Sequence, residues 1–351
     1  QKTGEAIIID PQRDIDRYIK LAERENLTII AATETHIHAD FLSGVREFCE
    51  QTDALALLSD EGGQDWDYLW VKGADFNGVP YKHRLVNDQD IVMIGNIQLR
   101  VMHTPGHTPE HICFEITDLG AHADEPMGII TGDFIFVGDV GRPDLLESAA
   151  GQMGMMEPSA RTLGASLREF QSQPDYLQIW PGHGAGSACG KELGAVPQST
   201  VGYERRFNLA FKQAENPDAF VDTILSGQPE PPAYFKRMKY ENRQGPGILG
   251  GLPSPACCSV EGIPEGGVIV DTRPWDAYRA GHLPGSYSLI LDNMFSTVAG
   301  AFILPEQDIV LVANACDVEN AVRMLIRIGL DRVVNWVDPD DLLNNTDLLK
   351  I

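Results

Sequence analysis

The segment 35–41 constrains this chain more than any other part of the sequence. It places His36, His38 and Asp40 at alternate positions, directly after the apolar run 27–32. An apolar run of this length is typical of a buried strand, so the three side chains are expected on the loop that leaves the strand. Two imidazoles and a carboxylate at a strand end predict a metal site. The next residue is Phe41, whose ring cannot coordinate a metal.

Length and charge limit the class of protein. A chain of 351 residues is long enough for two domains of roughly 100 to 200 residues each. It has neither a signal segment nor an apolar run near the ~20 residues that a membrane span needs, so we expect a cytoplasmic protein. The net charge of −24 argues against nucleic acid or an anionic membrane as partner. Six Cys without paired spacing indicate reduced thiols.

Periodicity predicts a layered α/β fold for the first part of the chain, since short apolar runs alternate with amphipathic segments up to about residue 215. The predicted strands are 7–10, 28–32, 54–58, 91–93, 97–102, 112–116, 128–131 and 178–180, and the predicted helices are 14–25, 44–51, 159–172 and 203–214. The segment 228–255 is rich in Pro and Gly, which is typical of a linker. We therefore predict one domain over 1–227, a linker over 228–255 and a second domain over 256–351. Because the chain opens at Gln1 almost directly in a strand, we expect that its natural N-terminus lies upstream.

Three further motifs place metal-ligand types at strand ends. His107 lies in the run His-Thr-Pro-Gly-His-Thr, Asp133 ends Thr-Gly-Asp, and His183 lies in Trp-Pro-Gly-His-Gly. Each motif alone is more often an ordinary turn. Together with the opening segment, and in this order, they predict a metal centre; the alternative is a fold that has kept the pattern and lost its metal.

With these motifs, residues 1 to about 215 resemble the glyoxalase II-like branch of the metallo-β-lactamase superfamily, and specifically its persulfide dioxygenases. The resemblance implies an αββα sandwich. Binuclear glyoxalases have a His where this chain has Phe41, so the resemblance implies one Fe(II) per chain, held by His36, His107 and Asp133. Two His and a carboxylate form the facial triad of non-haem iron oxygenases.

The resemblance gives supporting roles to His38, Asp40 and His183, which are expected to hydrogen-bond ligands, water or substrate. His38 has an alternative, because both His of the pair bind metal in the zinc hydrolases of the superfamily. The same triad also accepts zinc or manganese.

The implied activity is the oxidation of a thiol persulfide by O2 to sulfite and free thiol, in sulfide detoxification and possibly leading to thiosulfate. The expected partners are O2 and a persulfide of coenzyme A, bacillithiol or glutathione, and the protein is expected to form a homo-oligomer. Candidate substrate-binding residues are Arg205, Lys191 and Arg142, of which Arg142 is expected to brace the loop beside the metal. Arg205 has an alternative as a solvated helix residue. Cys189 is a possible redox thiol, with an ordinary buried thiol as the alternative.

The second domain resembles a rhodanese, on the pattern Val-Asp-Thr-Arg at 270–273 followed by Gly-His-Leu-Pro-Gly at 281–285. In an active rhodanese the later strand ends in a nucleophilic Cys, and here the matching residue is Ala313. Asp317 and Glu319 follow it and would repel a sulfur anion. We therefore expect a rhodanese-homology domain without sulfurtransferase activity. A further, active rhodanese domain follows in longer relatives of this architecture, and a missing C-terminal domain of that kind is one expectation for this chain.

Two rival functions remain open at this point. A thioester hydrolase of the glyoxalase II type would use a metal-bound hydroxide, but it normally needs both metals, and Phe41 counts against the second. A sulfur-carrier or regulatory module without activity is disfavoured by the complete set of His36, His107 and Asp133.

Overall fold

The computed structural model describes residues 3–148, 151–185, 187–191, 193–344 and 349–350. These form two compact units, the first running to Pro231 and including Phe235–Ile248, and the second containing Pro232–Tyr234 and the chain from Leu249 onward. No described helix is both long enough and apolar enough to cross a membrane.

The strands of the first unit are β1 (Glu5–Ile9), β2 (Thr28–Thr33), β3 (Leu55–Ser59), β4 (His83–Val86), β5 (Ile91–Ile94), β6 (Ile97–His103), β7 (Ile112–Asp118), β8 (Gly128–Gly132), β9 (Gln178–Pro181) and β10 (Ser199–Thr200). Its helices are α1 (Asp16–Arg24), α2 (Val45–Gln51), α3 (Leu145–Ser148), α4 (Met156–Phe170), α5 (Val201–Phe207), α6 (Leu209–Gln213), α7 (Pro217–Leu225) and α8 (Phe235–Gln244).

Two sheets pack face to face in the first unit. One has the order β1-β2-β3-β4 with every pair parallel, and the other has the order β10-β9-β8-β7-β6-β5 and is mostly antiparallel. Apolar side chains from both sheets, including Leu57 and Val86 of the first and Leu99 and Phe114 of the second, form one buried cluster between them. Burial of this apolar surface holds the two sheets together.

Helices cover the outer face of each sheet. Phe48 of α2 and Ile15 before α1 pack with the outward residues of the first sheet. Leu163 and Leu167 of α4 pack with those of the second sheet, together with Phe220 of α7. The first unit is therefore the predicted αββα sandwich.

The segment predicted as a linker contains the helix α8. Its run Phe-Lys-Arg-Met-Lys-Tyr-Glu-Asn-Arg-Gln has neither Pro nor Gly and buries Phe235, Met238, Lys239 and Asn242, which share one helical face. Pro and Gly are concentrated on either side of this run, so an average over 228–255 concealed it. The linker prediction is wrong for α8, which belongs to the first unit.

The second unit is built on one parallel sheet in the order β11-β15-β14-β12-β13. Val310, Val312 and Val337 are buried in its core with Leu283 and Leu342. Its strands are β11 (Ala256–Cys257), β12 (Val268–Asp271), β13 (Tyr287–Ser288), β14 (Ile309–Val312) and β15 (Val333–Val337), and its helices are α9 (Trp275–Ala280), α10 (Phe295–Phe302), α11 (Ala315–Ile326) and α12 (Pro339–Asn344). A parallel sheet with intervening helices agrees with the predicted rhodanese-like domain.

Candidate metal centre

Three buried side chains converge where strands of both sheets end. His36 follows β2, His107 follows β6, and Asp133 follows β8 directly. Their ligand atoms lie within 4.8 Å of one another. The Nε2 atoms of His36 and His107 are 3.9 and 3.6 Å from Asp133 Oδ2. The structure thus brings together the three residues that the sequence predicts as metal ligands.

Hydrogen bonds fix both imidazoles in the form that binds metals. His36 Nδ1 lies 3.0 Å from Thr35 Oγ1, whose hydroxyl donates to Asp10 Oδ2, so Nδ1 carries the proton. His107 Nδ1 donates to the carbonyl oxygen of Arg142 at 3.0 Å. In each ring the lone pair is therefore on Nε2, which faces Asp133. Burial lowers the pKa of both His36 and His107, which keeps the rings neutral.

Asp133 is a buried carboxylate whose oxygens lack hydrogen-bond donors. Its backbone N–H donates to His111 Nε2 at 3.1 Å, and both carboxylate oxygens are buried without a hydrogen-bond donor, although His183 Nε2 lies 3.4 Å from Oδ1. Such a group costs free energy unless a cation or proton satisfies it. With two Nε2 lone pairs beside it, the donor set of His36, His107 and Asp133 fits a divalent metal ion.

His38 is held away from this set by Asp10. Its Nε2 lies 3.0 Å from Asp10 Oδ1, and its ring stacks on Phe41 with centroids 4.3 Å apart. Burial lowers the pKa of His38, but the charge and hydrogen bond of Asp10 outweigh it and raise this pKa to about 9. The bond to Asp10 engages Nε2 and agrees with the predicted supporting role for His38. Nδ1 of the same ring is buried without a hydrogen-bond partner, so the alternative role as a metal ligand also stays a prediction. Phe41 is buried and fills the space beside the ring.

A second group of ligand types lies beside the first. Asp40, His183 and Cys189 have ligand atoms within 4.8 Å of one another, and His183 Nε2 is 3.4 Å from both Asp40 Oδ2 and Asp133 Oδ1. The sequence predicts only supporting roles for Asp40 and His183 and does not place Cys189 beside them. The structure adds Cys189 as a third donor in this group.

The same environment bears on the prediction of a redox thiol. Cys189 is buried, and burial with the charges of Asp133 and Asp40 raises its pKa well above the ordinary value. Without a bound cation its thiol stays protonated, which disfavours a reactive thiolate.

Several residues that position the site were not predicted. Ile37 N donates to the buried carboxylate of Glu110 at 2.7 Å. Asn242 of α8 donates to the carbonyl oxygens of His38 and Phe41 at 2.9 and 2.8 Å and accepts from Ser43 N. These bonds fix the loop that carries His36. Glu110 lies two residues after the motif at 103–108, and Asn242 lies within the predicted linker.

His111 also escaped the sequence analysis, although it is the third His at a spacing of four from 103. Its Nδ1 lies 2.8 Å from Thr104 Oγ1 and its Nε2 accepts from Asp133 N. Burial lowers the pKa of His111 to about 3, so the ring is a neutral support for Asp133. The regular spacing of His103, His107 and His111 could have indicated that His111 belongs to the site.

The predicted substrate-binding side chains have structural partners instead. Arg205 ion-pairs with Asp175 and donates to the carbonyl oxygens of Gln171 and Gln173, both at 2.6 Å. Lys191 Nζ donates to the carbonyl oxygens of Thr223 and Ser226 at the end of α7. These contacts give Arg205 and Lys191 structural partners, and their expected role in binding the carrier stays a prediction.

Arg142 has the bracing role and not the substrate-binding one. It is fully buried, its guanidinium contacts both carboxylate oxygens of Asp144, and Nη1 donates to the carbonyl oxygen of Ala188. Because its own carbonyl oxygen accepts from His107, the residue fixes a metal ligand through its backbone.

Ala313 follows β14 in the second unit and is fully buried. Its methyl group offers no nucleophile at this strand end. Cys316 is exposed on α11.

The family follows from the first part of the chain. Residues 1–183, just over half of the chain, match the family model described as the metallo-β-lactamase superfamily. The chain belongs to the metallo-β-lactamase superfamily. A second match, to the rhodanese-like domain, covers residues 260–337. With the buried donor set, this membership indicates a metal-dependent enzyme of the superfamily.

Solved structures and curated sequences resemble the chain to different extents. A crystal structure of a metallo-β-lactamase from Staphylococcus aureus subsp. aureus COL is 39% identical, with 96% of this chain and 92% of that chain covered and a TM-score of 0.82. The structure of ETHE1 from Myxococcus xanthus is 24% identical, covers 69% of this chain and 89% of its own, has a TM-score of 0.50, and shows a shared fold.

A hydroxyacylglutathione hydrolase from Prochlorococcus marinus (strain MIT 9211) is 22% identical over 184 residues, which are 52% of this chain. The chain spans 62% of that relative's length. The superfamily fold is thus shared with a protein named as a hydrolase, and the reaction of this chain has to be argued from its own site.

Proposed function

We propose that the first unit is a persulfide dioxygenase that holds one Fe(II) through His36, His107 and Asp133. One observation carries the proposal: the Nε2 lone pairs of the two imidazoles face a carboxylate whose oxygens are buried without a donor. Two His and one carboxylate, with the remaining positions open, form the ligand set of non-haem iron oxygenases.

Phe41 and His38 support the choice of one metal. Phe41 stands where binuclear relatives have a ligand, and its ring stacks on His38, which Asp10 holds. Iron bound at the triad would supply the one-electron chemistry that lets O2 react with sulfur. In the net reaction, a persulfide anion, O2 and water give the free thiol, sulfite and one proton.

The residues of the chain then have distinct tasks. Thr35 and the Arg142 carbonyl orient the two imidazoles, and His111 holds the backbone of Asp133. His183 and Asp40 are the two most exposed side chains of the two ligand groups. The charges of Asp133 and Asp40 outweigh the effect of burial and raise the pKa of His183. Its Nε2 is suited to pass a proton to the departing thiol sulfur.

The rhodanese-like second unit supports a sulfur substrate, since rhodanese-like domains act on sulfur carried by Cys. We therefore propose that the oxidation of the persulfide serves sulfide detoxification. The carrier thiol stays open among coenzyme A, bacillithiol and glutathione, because the structure gives Arg205 and Lys191 other partners.

Oxygen consumption tests the proposal. Iron-loaded full chain is given each of the three persulfides anaerobically and then O2, and sulfite and thiosulfate are measured. We expect oxygen uptake and sulfite with at least one persulfide, loss of both in His107→Ala, and retention in His83→Ala, which changes an exposed His of β4. No uptake with any persulfide, or full activity of His107→Ala, contradicts the proposal.

The second group of ligand types, formed by Asp40, His183 and Cys189, favours a metal-dependent thioester hydrolase as the alternative function. Asp40, His183 and Cys189 are able to hold a second ion, and a hydroxyacylglutathione hydrolase is among the relatives. A two-metal thioester hydrolase would then use metal-bound hydroxide. Two zinc ions per chain with hydrolysis of an acylglutathione, and no oxygen uptake by the iron form, would favour this alternative.

A further inference from the structure

A buried lysine reaches the loop of the candidate metal ligands. Lys239 lies on the inward face of α8 and is 5% exposed. Its Nζ donates to the carbonyl oxygen of Ile37 at 3.4 Å, and Ile37 stands between His36 and His38 in the chain. Nζ also lies 5.1 Å from the centroid of the Trp66 ring. The side chain therefore extends from α8 to the site.

This ammonium group lacks a close counter-ion. Within the part of the chain that the structure describes, no carboxylate oxygen forms a salt bridge with Lys239. Burial lowers the pKa of Lys239, and the more distant carboxylates of Glu110, Asp133 and Asp40 oppose that effect. A buried ammonium with one long hydrogen bond has donors left for an anion.

Lys239 places its charge beside the loop of the candidate metal ligands. Its Nζ contacts the carbonyl oxygen of Ile37, the residue between His36 and His38. A divalent ion beside the single negative charge of Asp133 leaves the metal centre positive as well. Two positive groups in a buried site repel each other, and an anion between them removes that repulsion.

We propose that Lys239 forms an anion subsite beside the metal centre, which takes the charged sulfur end of a persulfide and the sulfite formed from it. This inference rests on the proposed function and adds a residue that selects the substrate class. A persulfide anion carries its negative charge on the terminal sulfur, and sulfite carries its charge on the oxygens bonded to that sulfur, whereas the carbonyl group of a thioester is neutral. The ammonium therefore favours the sulfur substrates over thioesters.

Sulfite binding to the metal-loaded full chain tests the subsite. Calorimetry with sodium sulfite under anaerobic conditions gives the dissociation constant for the wild type, Lys239→Met, Lys239→Arg and Lys236→Met, with the metal content of each measured beforehand. Lys236 is an exposed lysine on the same helix and is the matched control. We expect Lys239→Met to weaken sulfite binding by about tenfold or more, because charge-assisted hydrogen bonds are lost. Lys239→Arg should retain part of the affinity, and Lys236→Met should stay within about twofold of the wild type.

The inference is overturned if the wild type does not bind sulfite, or if metal-replete Lys239→Met binds it as tightly as the wild type. Where Lys239→Met fails to fold or to retain metal, a crystal structure of the wild type with sulfite decides. A sulfite oxygen at about 3 Å from Nζ supports the subsite, and sulfite bound elsewhere overturns it.

Binding needs no turnover, so the two proposals fail separately. A wild type that is inactive with every persulfide but binds sulfite through Lys239 contradicts the dioxygenase alone. An active enzyme whose sulfite affinity is unchanged in Lys239→Met contradicts the subsite alone.

Discussion

Two strand ends of this protein occupy comparable places in their sheets and differ in chemistry. In the first unit, β2 leads into a loop that presents His36 to His107 and Asp133. In the second unit, β14 ends at the buried Ala313. Both ends lie at the carboxyl edge of a parallel sheet, where α/β folds usually place their ligands. The comparison teaches that the fold supplies the position and the side chains alone supply the chemistry.

The largest expected effect concerns the ion pair of Asp10 and His38, beside the loop that follows β2. The pKa of His38 is raised to about 9, above its ordinary value of 6.5, so its stabilisation is complete below pH 6.5 and is lost as the pH rises through 9. Asp10 remains charged over this window, since its pKa is lowered. Between these two pH values the unfolding free energy of the metal-free wild type should fall by about 3 kcal/mol more than that of His38→Gln. Urea denaturation at both pH values measures this difference.

The control for this measurement is His83→Gln, which alters an exposed imidazole of β4. The unfolding free energy of His83→Gln should fall between the two pH values by as much as that of the wild type. An equal fall in the wild type and His38→Gln would show that the Asp10–His38 pair does not support the loop.

A smaller effect is expected where α8 holds the same loop. Asn242→Ala leaves Ser43 N and the carbonyl oxygens of His38 and Phe41 without partners. Buried backbone groups without partners should lower the unfolding free energy by about 2 kcal/mol. Tyr240→Ala, at an exposed position of α8, should change it by less than about 0.5 kcal/mol. Equal values for the two variants would contradict a clamping role for Asn242.

The orientation of His36 predicts a smaller change again, this time in metal affinity. Thr35→Val removes the hydroxyl between His36 Nδ1 and Asp10, so the ring loses the bond that fixes its tautomer. Loss of such a partner should weaken metal binding by about tenfold, as measured by competition with a chelator. Thr28→Val, at the exposed start of β2, should leave the affinity unchanged. Unchanged affinity in Thr35→Val would mean that the hydroxyl does not orient the ligand.

The smallest effect is expected at the second strand end. Ala313→Cys restores a thiol, but Asp317 lies in the first turn of α11, where its charge opposes an incoming sulfur anion, while Glu319 is ion-paired with Arg323. The rate at which Ala313→Cys transfers sulfur from thiosulfate to cyanide should therefore stay within about twofold of the wild-type rate. A gain of about tenfold or more would show that the missing thiol alone silences this unit.

The strands of the first unit were predicted well where an apolar run is followed by a candidate metal-ligating residue. The predicted strands 28–32 and 128–131 correspond to β2 and β8, because short runs with paired Ile followed by turns are strong signals. The strand β4 was missed, since His-Arg-Leu-Val is half exposed and lacks an apolar run. The helix α8 was missed because flanking Pro and Gly dominated its composition.

The metal ligands were predictable because each lies in a short motif of its own. Their supports were not, because those contacts join distant parts of the chain: Asp10 meets Thr35, and Asn242 meets Phe41. The contacts of Arg205 and Lys191 were not predictable for a related reason. A cationic side chain near a ligand motif in sequence is free to turn toward helix ends, and here both do so.

The most direct test of the central claim is the amount of sulfite formed per O2 consumed by the iron-loaded full chain with its best persulfide. We predict one sulfite for each O2, because a dioxygenase places both oxygen atoms of one O2 in the same sulfite. We also predict an iron content of one per chain, since His36, His107 and Asp133 form one candidate site. Sulfite formed without oxygen uptake, or oxygen consumed without sulfite, would contradict it.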